Sequence, residues 1–210
     1  VAPGGENGAT FREFGLNPGG TRIAMEGGVL LISGRLQGTG LSWDDGLWVS
    51  RGSGATLAYR EGSAAAGGGT FSGSFRPYVS PAGTEGVWVV FQGSANTFKG
   101  VWSASYGFGS AAFGTLGRVA RASAGVPGQG GLTFEEIGGV SGATGGIAMV
   151  EGRVSGAGVT SADNWRVYLG TASGGLGEAA RRASSSLAGP FSQPTVVFWD
   201  ELRASSSGKM

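Results

Sequence analysis

The chain has no cysteine and no histidine, and only two of its 210 residues, Lys99 and Lys209, are lysine. Without cysteine there is no disulfide framework. Without histidine, the Ser-His-Asp and Cys-His arrangements of nucleophilic catalysis cannot be built. The usual zinc sites, which draw on Cys and His, are excluded with them. A Ser-Lys pair would need Lys99, read here as part of a short loop, or Lys209, in a polar tail. Basic runs are missing too: the longest is Arg181-Arg182, and 15 basic residues against 14 acidic ones leave a net charge of +1. That is not the electrostatic footprint of a nucleic-acid binder. The longest wholly apolar run is Val87 to Phe91, far short of the roughly 20 residues of a membrane helix. Helical periodicity is nearly absent. The one helical candidate is Gly177 to Leu187, "GEAARRASSSL", rich in good helix formers.

Glycine is abundant instead. There are 45 glycines, roughly three times the usual share of about 7%. No Gly-X-Y period runs through them, so collagen is excluded. Apolar residues make up 40% of the chain, too many for a simple disordered tract. Glycine is costly inside helices and strands, so this much of it implies many turns, bulges and close backbone contacts. Between the glycines lie short β-type runs: Val29 to Ile32, Gly46 to Val49, Thr56 to Tyr59, Val87 to Phe91, Gly100 to Ser103, Arg118 to Arg121, Ile147 to Val150, Arg166 to Leu169 and Thr195 to Trp199. Short strands separated by turn signals predict an all-β fold.

The runs recur in a fixed order. A Phe after small residues comes first, at Phe11, Phe71, Phe134 and Phe191. An apolar strand follows: "VLLI" at 29–32, "VWVVF" at 87–91, "IAMV" at 147–150 and "TVVFW" at 195–199. A Gly-to-aromatic strand is third, holding Trp48, Trp102 and Tyr168, and an Arg-bearing strand is fourth, holding Arg60, Arg121 and Arg181. The spacing of the first landmark, 60, 63 and 57 residues, predicts a tandem repeat of about 60 residues. The units are 1–63, 64–124 and 125–185, with a partial fourth at 186–210. Each holds about four short antiparallel strands, as in a propeller blade or a stacked β repeat. The middle unit shortens one connection to the loop "QGSANTFKG".

These residues resemble bacterial surface and secreted proteins described as choice-of-anchor proteins with NxxGxxAF tandem repeats. The resemblance rests on Gly28, Leu30, Leu31, Ile32, Gly34, Leu36, Gly38, Gly40, Leu41, Asp45, Gly46, Leu47 and Trp48, and on "REGSAAAGGGTF" at 60–71. The third unit follows with Gly146, Ala148, Met149, Val150, Gly152, Val154, Gly156, Gly158 and Val159. The Asn that names the motif is replaced by Met25 and Ala143, and its Ala-Phe pair by Leu31-Ile32 and Met149-Val150. The resemblance implies an exported, repetitive β protein and no catalytic residues. The chain opens on Val1, as expected after removal of a signal segment or in a piece of a longer chain.

Candidate chemistry is sparse. Asp44-Asp45, Glu135-Glu136 and Asp200-Glu201 are adjacent carboxylates. Neighbours on a strand point to opposite faces, so such pairs suit glycoside hydrolysis poorly. Asp44-Asp45-Gly46 reads as a hairpin turn, because Asp-Gly suits positive φ. Asp44, Asp45, Asp163 and Asn164 are weak Ca²⁺ candidates, and no cofactor is otherwise expected. Trp48, Trp102 and Tyr168 recur at equivalent points and are expected in the core. Trp43, beside the Asp pair, is the candidate exposed aromatic for a sugar or a partner. The apolar run Val196, Val197, Phe198 and Trp199 belongs to the partial unit and is the candidate for strand pairing with another subunit. The function expected is an extracellular or cell-surface structural subunit, not an enzyme, that binds copies of itself. The alternative is a propeller-like module that binds carbohydrate or protein. Neither nucleic acid nor membrane insertion is expected.

Overall fold

The computed structural model describes residues 2, 4, 8–14, 23–41, 44–52, 54–73, 75–142 and 144–182. These residues form three antiparallel sheets and, among them, no α-helix. The first sheet holds β1 (Thr10–Phe14), β2 (Ile23–Glu26), β3 (Val29–Gln37), β4 (Asp45–Arg51) and β5 (Ala55–Arg60), in the order β1-β3-β4-β5 with β2 beside the other half of β3. The second holds β6 (Arg76–Pro81), β7 (Gly86–Ala95), β8 (Phe98–Gly107), β9 (Ala112–Phe113) and β10 (Gly117–Arg121), in the order β10-β8-β7-β6 with β9 on β8. The third runs β11 (Ala124–Gly125), β12 (Leu132–Gly142), β13 (Ala148–Gly156), β14 (Trp165–Thr171) and β15 (Gly175–Arg181) in chain order.

The register explains the recurring landmarks. Phe11 pairs with Leu36, Phe71 with Ala95 and Phe134 with Val154. Each Phe meets the aromatic of the third landmark edge to face. The centroids of Phe11 and Trp48 lie 4.8 Å apart, those of Phe71 and Trp102 4.9 Å, and those of Phe134 and Tyr168 5.3 Å. Edge-to-face packing places the positive rim of one ring on the negative face of the other. All three recurring aromatics are fully buried. A β-bulge sits at the same place in every sheet, with Ala58, Val119 and Ala179 as the extra residues beside Trp48, Trp102 and Tyr168.

Each sheet has an aromatic face and an aliphatic face, because alternate side chains point to opposite sides. Val29, Leu31, Leu47 and Val49 of the first sheet pack against Phe71, Phe75, Phe91 and Trp102 of the second. Val90, Val101, Val119 and Ala120, on the other side of the second sheet, pack against Phe134, Val150, Val154 and Tyr168 of the third. The aromatic face of each later sheet therefore covers the aliphatic face of the one before. Gln92, 6% exposed, crosses the second contact and donates to the carbonyls of Ile137 and Gly138 at 3.3 Å each.

Three expectations change. The helix predicted at 177–187 is strand through Arg181, and residues beyond 182 lie outside the described set. Its helix formers alone make only a marginal helix, whereas pairing with β14 buries Leu176, Ala179 and Ala180. The loop predicted across "QGSANTFKG" is a two-residue hairpin at Asn96-Thr97, with Ala95 opposite Phe98 and Asn96 at φ 50°. Lys99 accordingly lies in β8 rather than in a loop. Asp45-Gly46 is not a turn either but the start of β4; the positive φ, 72°, falls upstream at Gly40.

Gly46 has another reason to be glycine. A Cβ there would stand 2.5 Å from the Trp48 ring, and one at Gly100 2.6 Å from the Trp102 ring. Each indole lies flat across the glycine two residues before it. Gly100→Ala is therefore expected to cost about 1–3 kcal/mol through overpacking, read from urea unfolding. A neutral Gly100→Ala would mean that the indole has room to move away.

Candidate functional site

Three carboxylates of the described residues come together at the end of the first sheet where β3, β4 and β5 meet. Asp44 precedes β4, Asp45 begins it, and Glu61 follows β5. Oxygen atoms of all three lie within 4.8 Å of one another. The backbone holds them there. The Leu36 N–H donates to the Asp44 carbonyl at 2.7 Å, and the Glu61 N–H donates to the Asp45 carbonyl at 2.9 Å. The Asp44 N–H reaches the Glu61 carboxylate at 3.4 Å. Beside the cluster an open cleft of about 430 Å³ is lined by Arg12, Gln37, Leu41, Asp44 and Glu61, among others.

A cation already stands among these oxygens. Arg35, on β3, faces Asp45 across the β3–β4 pair. Its Nε donates to Asp45 Oδ1 at 3.0 Å and its Nη2 to Asp45 Oδ2 at 3.1 Å, a two-pronged pairing, and Nε lies 3.5 Å from Asp44 Oδ2. A Ca²⁺ ion takes six to eight oxygens. Here three carboxylates would supply part of that set, with Arg35 competing for two of them. Asp163, the third Ca²⁺ candidate, is not in this cluster. It lies in the third sheet's β13–β14 connection, where its Oδ1 accepts from the Thr160 N–H at 2.7 Å and the Thr160 hydroxyl at 2.9 Å. Those bonds, more than the nearby Arg166 and Arg181, hold the Asp163 carboxyl below the usual range.

Adjacent carboxylates converge more than strand alternation allows. Glu135 and Glu136 both reach Arg153, at 3.2 and 3.7 Å, because the register of β12 against β13 shifts between Phe134 and Glu136. The expectation of opposite faces is corrected by that bulge, and both carboxyls are partly exposed. Trp43 and the run Val196, Val197, Phe198 and Trp199 lie outside the described residues, as do Asp200-Glu201 and Lys209.

Sequence reading missed Arg35 and Glu61. Glu61 joins the site through register: Arg60, the fourth landmark, pairs with Gly46, which places the next residue beside Asp45. Burial pushes the Glu61 carboxyl above the usual range, and the charge of Asp44 adds to the shift while backbone N–H groups of Asp44 and Asp45 oppose it. A carboxyl with a raised folded pKa binds more protons folded than unfolded. Its contribution to stability therefore grows as pH falls from neutral through the raised value toward the ordinary 4.5, and is lost as pH rises again. Glu61→Gln is expected to flatten that part of the pH–stability curve, and wild type minus variant isolates it. A difference that rises with pH would reverse the assignment.

The arrangement can bind a polar group in an open cleft and can cross-brace strand ends through arginine. Compared with known proteins, the chain matches no family model, no curated protein and no solved structure.

Proposed function

We propose that this chain is a structural β-repeat subunit that assembles with copies of itself, in the extracellular space or at a cell surface. One observation carries the reading: the same head-to-tail contact, aromatic face on aliphatic face, is made twice in succession. Contacts between unlike faces that do not close by rotation extend into open arrays. A second feature supports it. Ile23 and Met25 are 55% and 74% exposed on β2, the outer strand of the first sheet. Exposed apolar side chains on an edge strand invite pairing with another chain. The residues equivalent to Ile23 by register, Pro77 and Val140, are buried in the second and third sheets. The resemblance to tandem-repeat surface proteins and the propeller-like size of the units point the same way. The reading is of a non-catalytic protein. It is supported by the lack of His and Cys and by the pairing of Asp44, Asp45, Glu135 and Glu136 with arginine.

Sedimentation velocity tests it. The full chain is expected to form large species that grow with concentration, and an Ile23→Lys/Met25→Lys variant to form fewer. A monomer at all concentrations would sink the proposal. A second reading, a carbohydrate-binding module, is favoured by the cleft beside Arg12, Gln37 and Glu61. A monomer whose tryptophan fluorescence responds to glycans would move that reading to first place.

A further inference from the structure

We infer that the edge strand β2 of one copy pairs antiparallel with the opposite edge strand, β5, of the next, so that the first sheet runs on from copy to copy. The inference rests on the self-assembly reading and names the strand that meets β2. Its first support is which edges are left open. Charge and proline on an edge strand hinder pairing with another chain. Among the outer strands of the described residues, β1 carries Arg12 and Glu13, β6 carries Pro77 and Pro81, β10 carries Arg118 and Arg121, and β15 carries Glu178 and Arg181. Strands β9 and β11 are two residues long. By contrast, residues 23–25 of β2 and 55–59 of β5 hold neither charge nor proline. These two strands lie on opposite sides of one sheet.

The second support is the backbone. Glu26 and Val29 flank the two-residue turn Gly27-Gly28, whose φ values are 56° and 74°. Residues flanking such a turn exchange hydrogen bonds, and bonded pairs alternate along the strands. The N–H and C=O groups of Ala24 and Glu26 therefore face β3, and those of Ile23 and Met25 face outward. Carried across β3 and β4, the same alternation turns Thr56 toward β4 and turns Ala55 and Leu57 outward. Two bonds agree with this phase: the Leu36 N–H donates to the Asp44 carbonyl, and the Glu61 N–H to the Asp45 carbonyl. The rows match as well. Met25, Leu30, Ser50 and Ala55 form one row across the sheet, and Ile23, Ile32, Trp48 and Leu57 another. A copy displaced along these rows, with the sheet's own twist, sets its Met25 beside Ala55 and its Ile23 beside Leu57, donors facing acceptors. Since β2 and β5 run in opposite directions, this pair is antiparallel. The exposed Ile23 and Met25 then continue the face that holds Leu57. A contact between unlike edges that repeats without closing extends into an open array.

The cysteine-free chain permits a clean cross-linking test. Met25→Cys/Ala55→Cys is oxidised in the full chain. Within one copy the two positions stand three strand spacings apart, about 14 Å, too far for a disulfide. Facing residues that exchange hydrogen bonds across an antiparallel pair stand about 5.5 Å apart, which suits one. A ladder of covalent dimers, trimers and larger species is expected under non-reducing conditions, and none from either single variant. Dimers from Met25→Cys alone would pair β2 with β2 of a second copy and overturn the assignment. Large species in sedimentation without a ladder would also overturn it, while leaving self-assembly standing. A monomer in sedimentation would remove both. Ala55→Pro gives a second readout that needs no cysteine. The N–H it removes faces outward, where proline is tolerated on an edge strand. The urea midpoint should therefore hold while the large species are lost. Undiminished large species from folded Ala55→Pro would overturn the inference.

Discussion

Trp102→Ala is expected to lower the unfolding free energy by about 3–5 kcal/mol, the range for emptying a large aromatic site in a core. Trp102 stands in the middle sheet, fully buried beneath the first. Phe71 meets it edge to face and Phe91 stacks on it at 5.8 Å with the planes 20° apart. Its indole N–H donates to the Ala66 carbonyl at 3.0 Å, tying the connection between the first two sheets to the second. Truncation would open a cavity among Phe71, Phe75 and Phe91 that these rings cannot refill without breaking their own contacts. Trp102→Phe should cost less, since a ring remains and only the Ala66 carbonyl loses its donor. Urea unfolding followed by circular dichroism measures both. A loss under about 1 kcal/mol for Trp102→Ala would mean that the site collapses freely and that the Phe–aromatic contact does not organise the unit.

The second large effect is at Arg166, in the third sheet. It occupies the register position of Gly46 and Gly100, two residues before the recurring aromatic. That aromatic is here Tyr168 rather than tryptophan, and the position carries an arginine instead of a glycine. Arg166 is 6% exposed. Its Nη1 donates to Glu178 at 2.8 Å, and its Nη2 lies 3.4 Å from Asp163 Oδ2. Arg166→Met would leave the Glu178 carboxylate, whose side chain is 13% exposed, with Arg181 alone, whose Nε donates to Glu178 Oε1 at 2.6 Å, so the loss is expected at the lower end of the range for a broken buried pair. Breaking a buried pair from one side typically costs about 3–5 kcal/mol, whereas replacing both partners with apolar groups is often neutral. Arg166→Met/Glu178→Leu is therefore expected to recover most of the loss. The loss itself should change little with added salt, because buried pairs are weakly screened. A single variant as destabilised as the double one would show that Arg166 acts through packing and not through charge.

Much of the architecture was legible because the aromatic landmarks do structural work. A Phe and a Trp roughly 30 to 40 residues apart recur together because they meet across the strand that lies between them, so their order survives while the loops change. The all-β reading rests on short apolar runs between turn signals, and the three sheets bear it out. Bulges were not legible. Ala58, Val119 and Ala179 are ordinary strand residues in sequence, and nothing in a string of alternating side chains marks the extra one. The convergence of Glu135 with Glu136 was invisible for that reason. Gly46 was misread because Asp-Gly is a strong turn signal, while its cause, an indole laid across the backbone, is a contact within the folded strand. The helix predicted at 177–187 failed similarly: propensity is local, and β15 is held by partners in β14. At the candidate site, Asp44 and Asp45 stood out as a pair. Arg35 and Glu61 join them only through strand register, with Asp45 opposite Arg35 and Gly46 opposite Arg60.

Negative-stain electron microscopy of the purified full chain tests the structural role most directly. Open filaments or sheets, diminished by Ile23→Lys/Met25→Lys, are the expected result. Discrete particles of monomer size in every field, at concentrations where the protein stays folded, would contradict it.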